Sequence, residues 1–211
     1  MTLDTFASLI SSAPAPVILI EGRRSIPDDV AHLARRVSSM LATRFPALRF
    51  RSGNATGTDQ AFAAGVIDVA PERLEIIAPY AMHRAKSRHP LVRYESPESL
   101  SEEELEQVKS LTMAATPANK SLIRCYGRGG RAAAQAACLI RDTLKVTGMN
   151  ESARRVVTAD RAESALPIPT AALFWVDPAE PETGGTGHTI RVCRLQGVPV
   201  IFQRDWQAWA V

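Results

Sequence analysis

Three short stretches combine residue types that can do chemistry. Glu21-Gly22-Arg23-Arg24 places a carboxylate, a glycine and two guanidinium groups side by side. Ser52-Gly53-Asn54-Ala55-Thr56-Gly57-Thr58-Asp59 is a glycine-bearing turn that ends on an acid. Thr183-Gly184-Gly185-Thr186-Gly187-His188 is a second glycine turn, ending on a histidine. Glycines allow close backbone approach and positive φ. A turn that opens a helix offers free N–H groups and the positive end of the helix dipole, which suits an anion such as phosphate. Arg23 and Arg24 can clamp such an anion in bidentate fashion. Glu21 and Asp59 can hold a sugar hydroxyl or act as acid, base or cation stabiliser. His188, at a helix start, is expected to be neutral, and can donate a hydrogen bond or move a proton.

Each of these residues also has a plain structural use. Asp59 with Thr56 fits a capping-box-like helix start. Arg23 and Arg24 fit solvated turn positions. Glu21 fits an ion-pair partner for a nearby arginine, and His188 fits an ordinary loop histidine.

The elements that must position these stretches follow from apolar patterning. Val17-Ile18-Leu19-Ile20 is a continuous β-branched run, as in a strand buried on both faces. A helix is expected next, capped by Ser25 with Asp28 as partner, carrying Val30, Leu33, Ala34, Val37 and Leu41 on one face and ending by Pro46. Strands are expected at 48–51, 74–78, 171–176 and 198–202, and helices at 61–69, 101–113, 131–145 and after His188. Gly130 is the expected N-cap of the helix at 131–145. Alternation of this kind implies right-handed crossovers and an α/β three-layer sandwich, Rossmann-like, with a mainly parallel sheet of about five strands or more. All three chemical stretches then follow strand C-termini on one rim, where open parallel sheets bind ligands. The polar, Pro-containing stretch 149–169 reads as a surface insertion in a single domain spanning 1–211.

Composition narrows the function classes. The chain has 211 residues, 45% of them hydrophobic, and 25 basic against 22 acidic residues give a net charge of +3. That excess is too small for a nucleic-acid coat. The basic run from Arg84 to Arg93 is followed by the acidic stretch Glu95 to Glu106, and Tyr80 and Tyr94 alone flank it, so a base-stacking platform is poorly supported. Cys125, Cys138 and Cys193 lie far apart, fit buried apolar positions and form no metal or disulfide framework. No cofactor or metal is expected. Trp206 and Trp209 fit packing or dimer contact. With no apolar run long enough to span a bilayer and no leader pattern, a soluble cytoplasmic protein is the default.

The three stretches together resemble the SLOG superfamily, which includes the SMF/DprA proteins, the Lonely Guy phosphoribohydrolases and small YpsA-like proteins. The resemblance runs from about residue 16 to 203. The first stretch is similar to the family's glycine–small–Arg turn, with Arg23 in the small position and Arg24 as its arginine. The second is similar to G-G-A-x-G-x-D, with Asn54 for the second glycine. Arg141-Asp142 is similar to the family's Arg-Asn pair. Where Lonely Guy enzymes carry P-G-G-x-G-T-x-x-E, this chain has Thr183 for the proline, His188 for the threonine and Arg191 for the glutamate. The resemblance implies a site for a nucleotide-derived ligand, such as a nucleoside phosphate, ADP-ribose or NAD derivative. It places phosphate on Gly53–Thr58 and Gly184–Gly187, charge neutralisation on Arg24 and Arg141, and a hydroxyl on Asp59. It also implies a homodimer or higher homo-oligomer. Two other readings stay open: N-glycosidic hydrolysis of nucleoside monophosphates through Glu21 or Asp59, and DprA-like single-stranded DNA binding.

Overall fold

The computed structural model describes residues 1–149 and 166–210. The chain opens with α1 (Leu3–Ser12), then alternates β1 (Val17–Gly22), α2 (Asp28–Arg44), β2 (Arg49–Ser52), α3 (Thr58–Ile67) and β3 (Leu74–Ile77). A basic connection leads to β4 (Arg93–Glu95), α4 (Glu102–Ala115), the single turn α5 (Lys120–Ile123) and α6 (Gly130–Thr147). The chain ends with β5 (Ala171–Trp175), α7 (Gly184–Leu195), β6 (Val200–Phe202) and the short α8 (Gln203–Trp206). Among the described residues, no helix is long and apolar enough to cross a membrane.

The six strands form one sheet in the order β4-β3-β2-β1-β5-β6, and every pairing is parallel. Strand order reverses at β1, so the crevice between the C-terminal ends of β1 and β5 is the topological switch point. Side chains alternate between the two faces of each strand. Ile18 and Ile20 of β1, Phe50 of β2 and Ile76 of β3 pack with Phe6, Phe62 and Trp206 on the side of α1, α2 and α3. Leu19, Ala172 and Phe174 face the other way and pack with Ile190 and Cys193 of α7. Ile77 meets Ile140 and Leu144 of α6 on that same side. The result is a three-layer α/β sandwich with a Rossmann-like sheet. The same alternation puts Glu21 two places after Leu19 and therefore on the α6–α7 side, and it puts Arg51 and Glu75 there as well.

Several local expectations need correction. Helix α2 begins at Asp28 with Pro27 in the cap position and no side-chain cap, so Ser25 does not cap it. α6 is capped by Gly129, and Gly130 is its first residue. β4 was not anticipated, because Arg93-Tyr94-Glu95 carries too much charge to read as a strand. The expected insertion at 149–169 is tied to the domain at both ends. Met149 and Leu166 form a backbone bridge and are both buried, and the Pro167 carbonyl accepts from Arg51. Residues 150–165 of it lie outside the described residues. Cys193 is buried as expected, but Cys125 and Cys138 are only half-buried. Trp206 and Trp209 are packing residues, each with its indole N–H on a backbone carbonyl, Phe174 and Met1 respectively.

Candidate functional site

A cavity of about 420 Å³ opens at the β1/β5 switch point. That volume lies within the range of small-molecule sites. Its walls come from the segments after β1, β2 and β5: Glu21 to Arg24, Ala55 and Asp59, and Asp177 to Thr186, with Arg141 and Asp142 of α6 below. The three sequence stretches do converge on one rim.

The floor is a cluster of buried charge. Lys145 is 1% exposed, and its Nζ donates to Glu21 Oε2 at 2.5 Å and lies 2.9 Å from Asp142 Oδ1. Arg141 Nη1 donates to the Gly53 carbonyl at 2.6 Å, and its Nε approaches Asp142 Oδ1 at 2.8 Å without hydrogen-bond alignment. Three carboxylates, Glu21, Asp59 and Asp142, thus share a buried space with two cations, Arg141 and Lys145. One proton balances that set. Burial raises Glu21 from its ordinary 4.5 to about 8, with Asp142 and Asp59 adding to the rise and Lys145 opposing it. Burial raises Asp59 as well, while Asp142, held between Arg141 and Lys145, stays below its ordinary value. The geometry around Thr189 suits a protonated Glu21. Thr189 Oγ1 lies 3.0 Å from Glu21 Oε1 and 3.2 Å from the Gly185 carbonyl. A hydroxyl has one proton to give. With a proton on Glu21, the carboxyl donates to Thr189 and Thr189 donates to Gly185.

Asp59 is 1% exposed, and both of its oxygens are in use. Oδ1 accepts from the Gly22 N–H at 3.2 Å and Oδ2 from the Ala55 N–H at 3.3 Å, so Asp59 clamps the first stretch to the second. Thr58 makes the same connection, its N–H and its hydroxyl both donating to the Arg23 carbonyl. Gly57 precedes α3 at φ +80°, and a Cβ there would sit 2.5 Å from the carbonyl oxygens of Arg23 and Arg24. The Thr56–Asp59 capping box is therefore absent: Gly57 is the cap, with no side-chain hydrogen bond. The N–H groups of Asn54, Ala55 and Thr58 are consumed inside the molecule, by Ser52 Oγ, Asp59 and Arg23 respectively. This turn is accordingly a poorer amide cradle for phosphate than its glycines imply.

The third stretch is the first turn of α7 itself rather than a loop before it. Thr183 occupies the cap position without a side-chain hydrogen bond, which leaves the amide end of this 12-residue helix open toward the cavity. Gly184 and Gly185 line the opening, and Thr186 donates to the Gly22 carbonyl at 3.1 Å. Gly187 is buried against the Glu182 carbonyl, with no room for a side chain.

His188 does not reach the site. It is 0% exposed, with Nδ1 2.7 Å from Thr116 Oγ1 and Nε2 2.9 Å from Thr143 Oγ1, between α4, α6 and α7. Burial lowers its pKa to about 4. It is neutral, as expected, but as a core residue out of reach of a ligand in the cavity, contrary to the contact expected from the sequence. Arg191 also points away: it donates to the carbonyls of Ala115 and Glu182 and to Thr116 Oγ1, stapling the end of α4 to the α7 entry.

Of the two arginines after β1, Arg23 is exposed and paired with Asp177 at 2.6 Å. Arg24 lines the cavity and has no partner among the described residues. Sequence reasoning missed Lys145, Asp142 as an ion-pair centre, Thr189 and Asp177. The first two gave no signal in the sequence: Arg141, Asp142 and Lys145 sit at i, i+1 and i+4, and only the packing of α6 shows that every residue of Ile140–Val146 is buried. No protein-family model matches the chain, and no curated protein matches it in sequence.

Proposed function

We propose that this protein binds a nucleotide-derived ligand, such as a nucleoside phosphate, ADP-ribose or an NAD derivative, at the C-terminal rim of its sheet. The observation that carries the reading is the cavity at the β1/β5 switch point, open to the uncapped start of α7 and to Arg24. An anionic group rests against the amides at Gly184–Thr186, with Arg24 supplying the mobile positive charge. Asp142 Oδ2 and the Glu180 carboxylate, both at the cavity wall, suit the hydroxyl-rich part of such a ligand. The resemblance to the SLOG superfamily supports the same reading, and with it a homodimer or higher homo-oligomer.

Isothermal titration against a panel of nucleosides, nucleotides, ADP-ribose and NAD tests it. Gly185→Arg is the matched variant. A Cβ at Gly185 meets only Asp142 Oδ2, at 3.2 Å, a close contact with a side chain rather than backbone, so the arginine extends into the cavity, and an unchanged melting temperature is the check that the fold is kept. Binding by the native protein and its loss in the variant is the expected result. No binding from the whole panel, or equal binding by both proteins, sinks the reading.

One observation favours a second reading, N-glycosidic hydrolysis of nucleoside monophosphates. Glu21 lines the cavity and holds a proton up to about pH 8, as a general acid needs at neutral pH. Arg191 stands where Lonely Guy enzymes have their glutamate, and it is committed to the staple between α4 and α7. A base-release assay with nucleoside 5′-monophosphates separates the two readings. Release that Glu21→Gln abolishes makes the protein an enzyme, and tight binding without release leaves it a binder.

A further inference from the structure

A second, smaller pocket of about 220 Å³ adjoins the first and shares Arg24, Ala55 and Arg141 with it. The two are chemically unlike. The large cavity is edged by five carboxylates, Glu21, Asp59, Asp142, Asp177 and Glu180. The small pocket has no carboxylate among its described lining residues, and it gathers Arg24, Arg84, Arg141 and His83. Neither Arg24 nor Arg84 has a carboxylate partner among the described residues. Arg141 is 6% exposed and is anchored by Gly53 and Asp142, so its position is fixed. The positive field is felt locally: burial, then Arg84, Arg141 and Arg88, lower the pKa of His83.

The backbone is also bent to make this pocket. Among the described residues, the two non-glycine positions with left-handed φ are Asn54, at +52°, and Arg84, at +49°. Both line it, and Arg84 Nη1 donates to the Asn54 carbonyl at 2.9 Å. Left-handed φ is costly for an arginine and persists where surrounding structure enforces it, commonly at ligand sites. Here it turns a guanidinium from the basic 84–93 run back over the rim, while Arg88 of the same run is spent on its own loop's carbonyls and on the Tyr94 ring.

We propose that the small pocket is a phosphoryl subsite, read by Arg84 and Arg24 over the fixed Arg141, for a terminal phosphate of the ligand whose hydroxyl-bearing part occupies the large cavity. Its volume is below that of a whole small-molecule site and suits one compact group. The placement rests on the nucleotide reading above but extends it. Phosphate on this side is held by arginine side chains, since the neighbouring turn has spent its amides internally. The ligand class is then a nucleoside or sugar bearing a free phosphoryl end, in preference to the same body without one.

The test is a paired titration. Wild type, Arg84→Gln and Arg44→Gln are each titrated with nucleosides, with the matching nucleoside mono- and diphosphates, and with inorganic pyrophosphate. Arg84 is exposed, so its loss should leave the fold intact, and an unchanged thermal melt is the check. Arg44, at the end of α2 on the opposite rim, controls for net charge. The phosphorylated compounds should bind wild type and Arg44→Gln about tenfold or more tighter than nucleosides, and Arg84→Gln should lose about tenfold in affinity for phosphorylated compounds while keeping its nucleoside affinity. If Arg84→Gln binds phosphorylated compounds as wild type does, the subsite is refuted and the nucleotide reading survives. If no nucleoside or nucleotide binds, the nucleotide reading fails; pyrophosphate binding that needs Arg84 then still supports the anion site, and its absence refutes that too.

Discussion

Arg51 and Glu75 are buried as deeply as Lys145 and Glu21, on the same face of the same sheet, and both groups touch α6. Their surroundings differ. Arg51 donates to Glu75 Oε2 at 2.8 Å and to the carbonyls of Lys145 and Pro167, while Arg49 closes the other side of Glu75 at 2.6 Å. One carboxylate is held by two guanidinium groups, and neither Arg51 nor Glu75 lines the rim cavity. The Glu21–Asp59–Asp142–Arg141–Lys145 group has one carboxylate too many for its cations and does line a cavity. Buried charge is tolerated when fully paired, and leaving one partner alone is severe. In the sheet-centre group the buried pair Arg51–Glu75 balances in charge, the second guanidinium, Arg49, being part-exposed, and Arg51 ties α6 and Pro167 to the strands. The rim group is closed only by taking up a proton, which leaves its charge responsive to whatever enters the cavity.

The contrast can be broken by substitution. Glu75→Gln should have the largest effect, a loss of about 3–5 kcal/mol in denaturant unfolding, because it strands Arg51 in the interior. Ligand titration of the surviving folded protein should be unaffected. Gly187→Ala comes next, costing about 1–3 kcal/mol from overpacking against the Glu182 carbonyl under the α7 entry.

The pH dependence sharpens the same contrast. Glu21 rises from 4.5 unfolded to about 8 folded, so its contribution is fully present below pH 4.5 and is lost as pH rises toward 8. His188 runs the other way, from 6.5 unfolded to about 4 folded, so stability is lost as pH falls through that window, and His83 shifts in the same direction. The opposing slopes largely cancel on the acid side, and above pH 6.5 Glu21 acts without the histidines. Stability should fall by about 2 kcal/mol between pH 6.5 and 8, read as a shift of denaturation midpoint. Glu21→Gln should have the smallest effect, under about 1 kcal/mol at pH 7, since it replaces a carboxyl already neutral there, and it should flatten that slope. Equal costs for Glu21→Gln and Glu75→Gln at pH 7 would erase the distinction between the two groups.

Much of this was legible in the sequence. The runs at 17–20, 74–78 and 171–176 mark the sheet because strands buried on both faces need continuous apolar residues. Glycine-bearing stretches after strands locate the rim. What could not be read is which polar atoms spend themselves on the fold. Asp59 and Thr58 fit a ligand contact by type, but they lace two turns together. His188 sits at a helix start yet faces inward, because α4 closes over it. Lys145 and Asp142 look like surface residues of an alanine-rich helix until α6 is laid against the end of β1. Arg84 reads as one member of a basic run, and only its left-handed backbone turns it toward the rim.

The central claim, a nucleotide-type ligand in the rim cavity, is tested most directly by native mass spectrometry. The purified protein and its Gly185→Arg variant are each sprayed before and after incubation with the nucleotide panel. Adducts of nucleotide mass, one per subunit, should appear on the native protein and be missing from the variant, and the same spectra count the subunits. Bare protein in every spectrum, or identical adducts on both proteins, would contradict it.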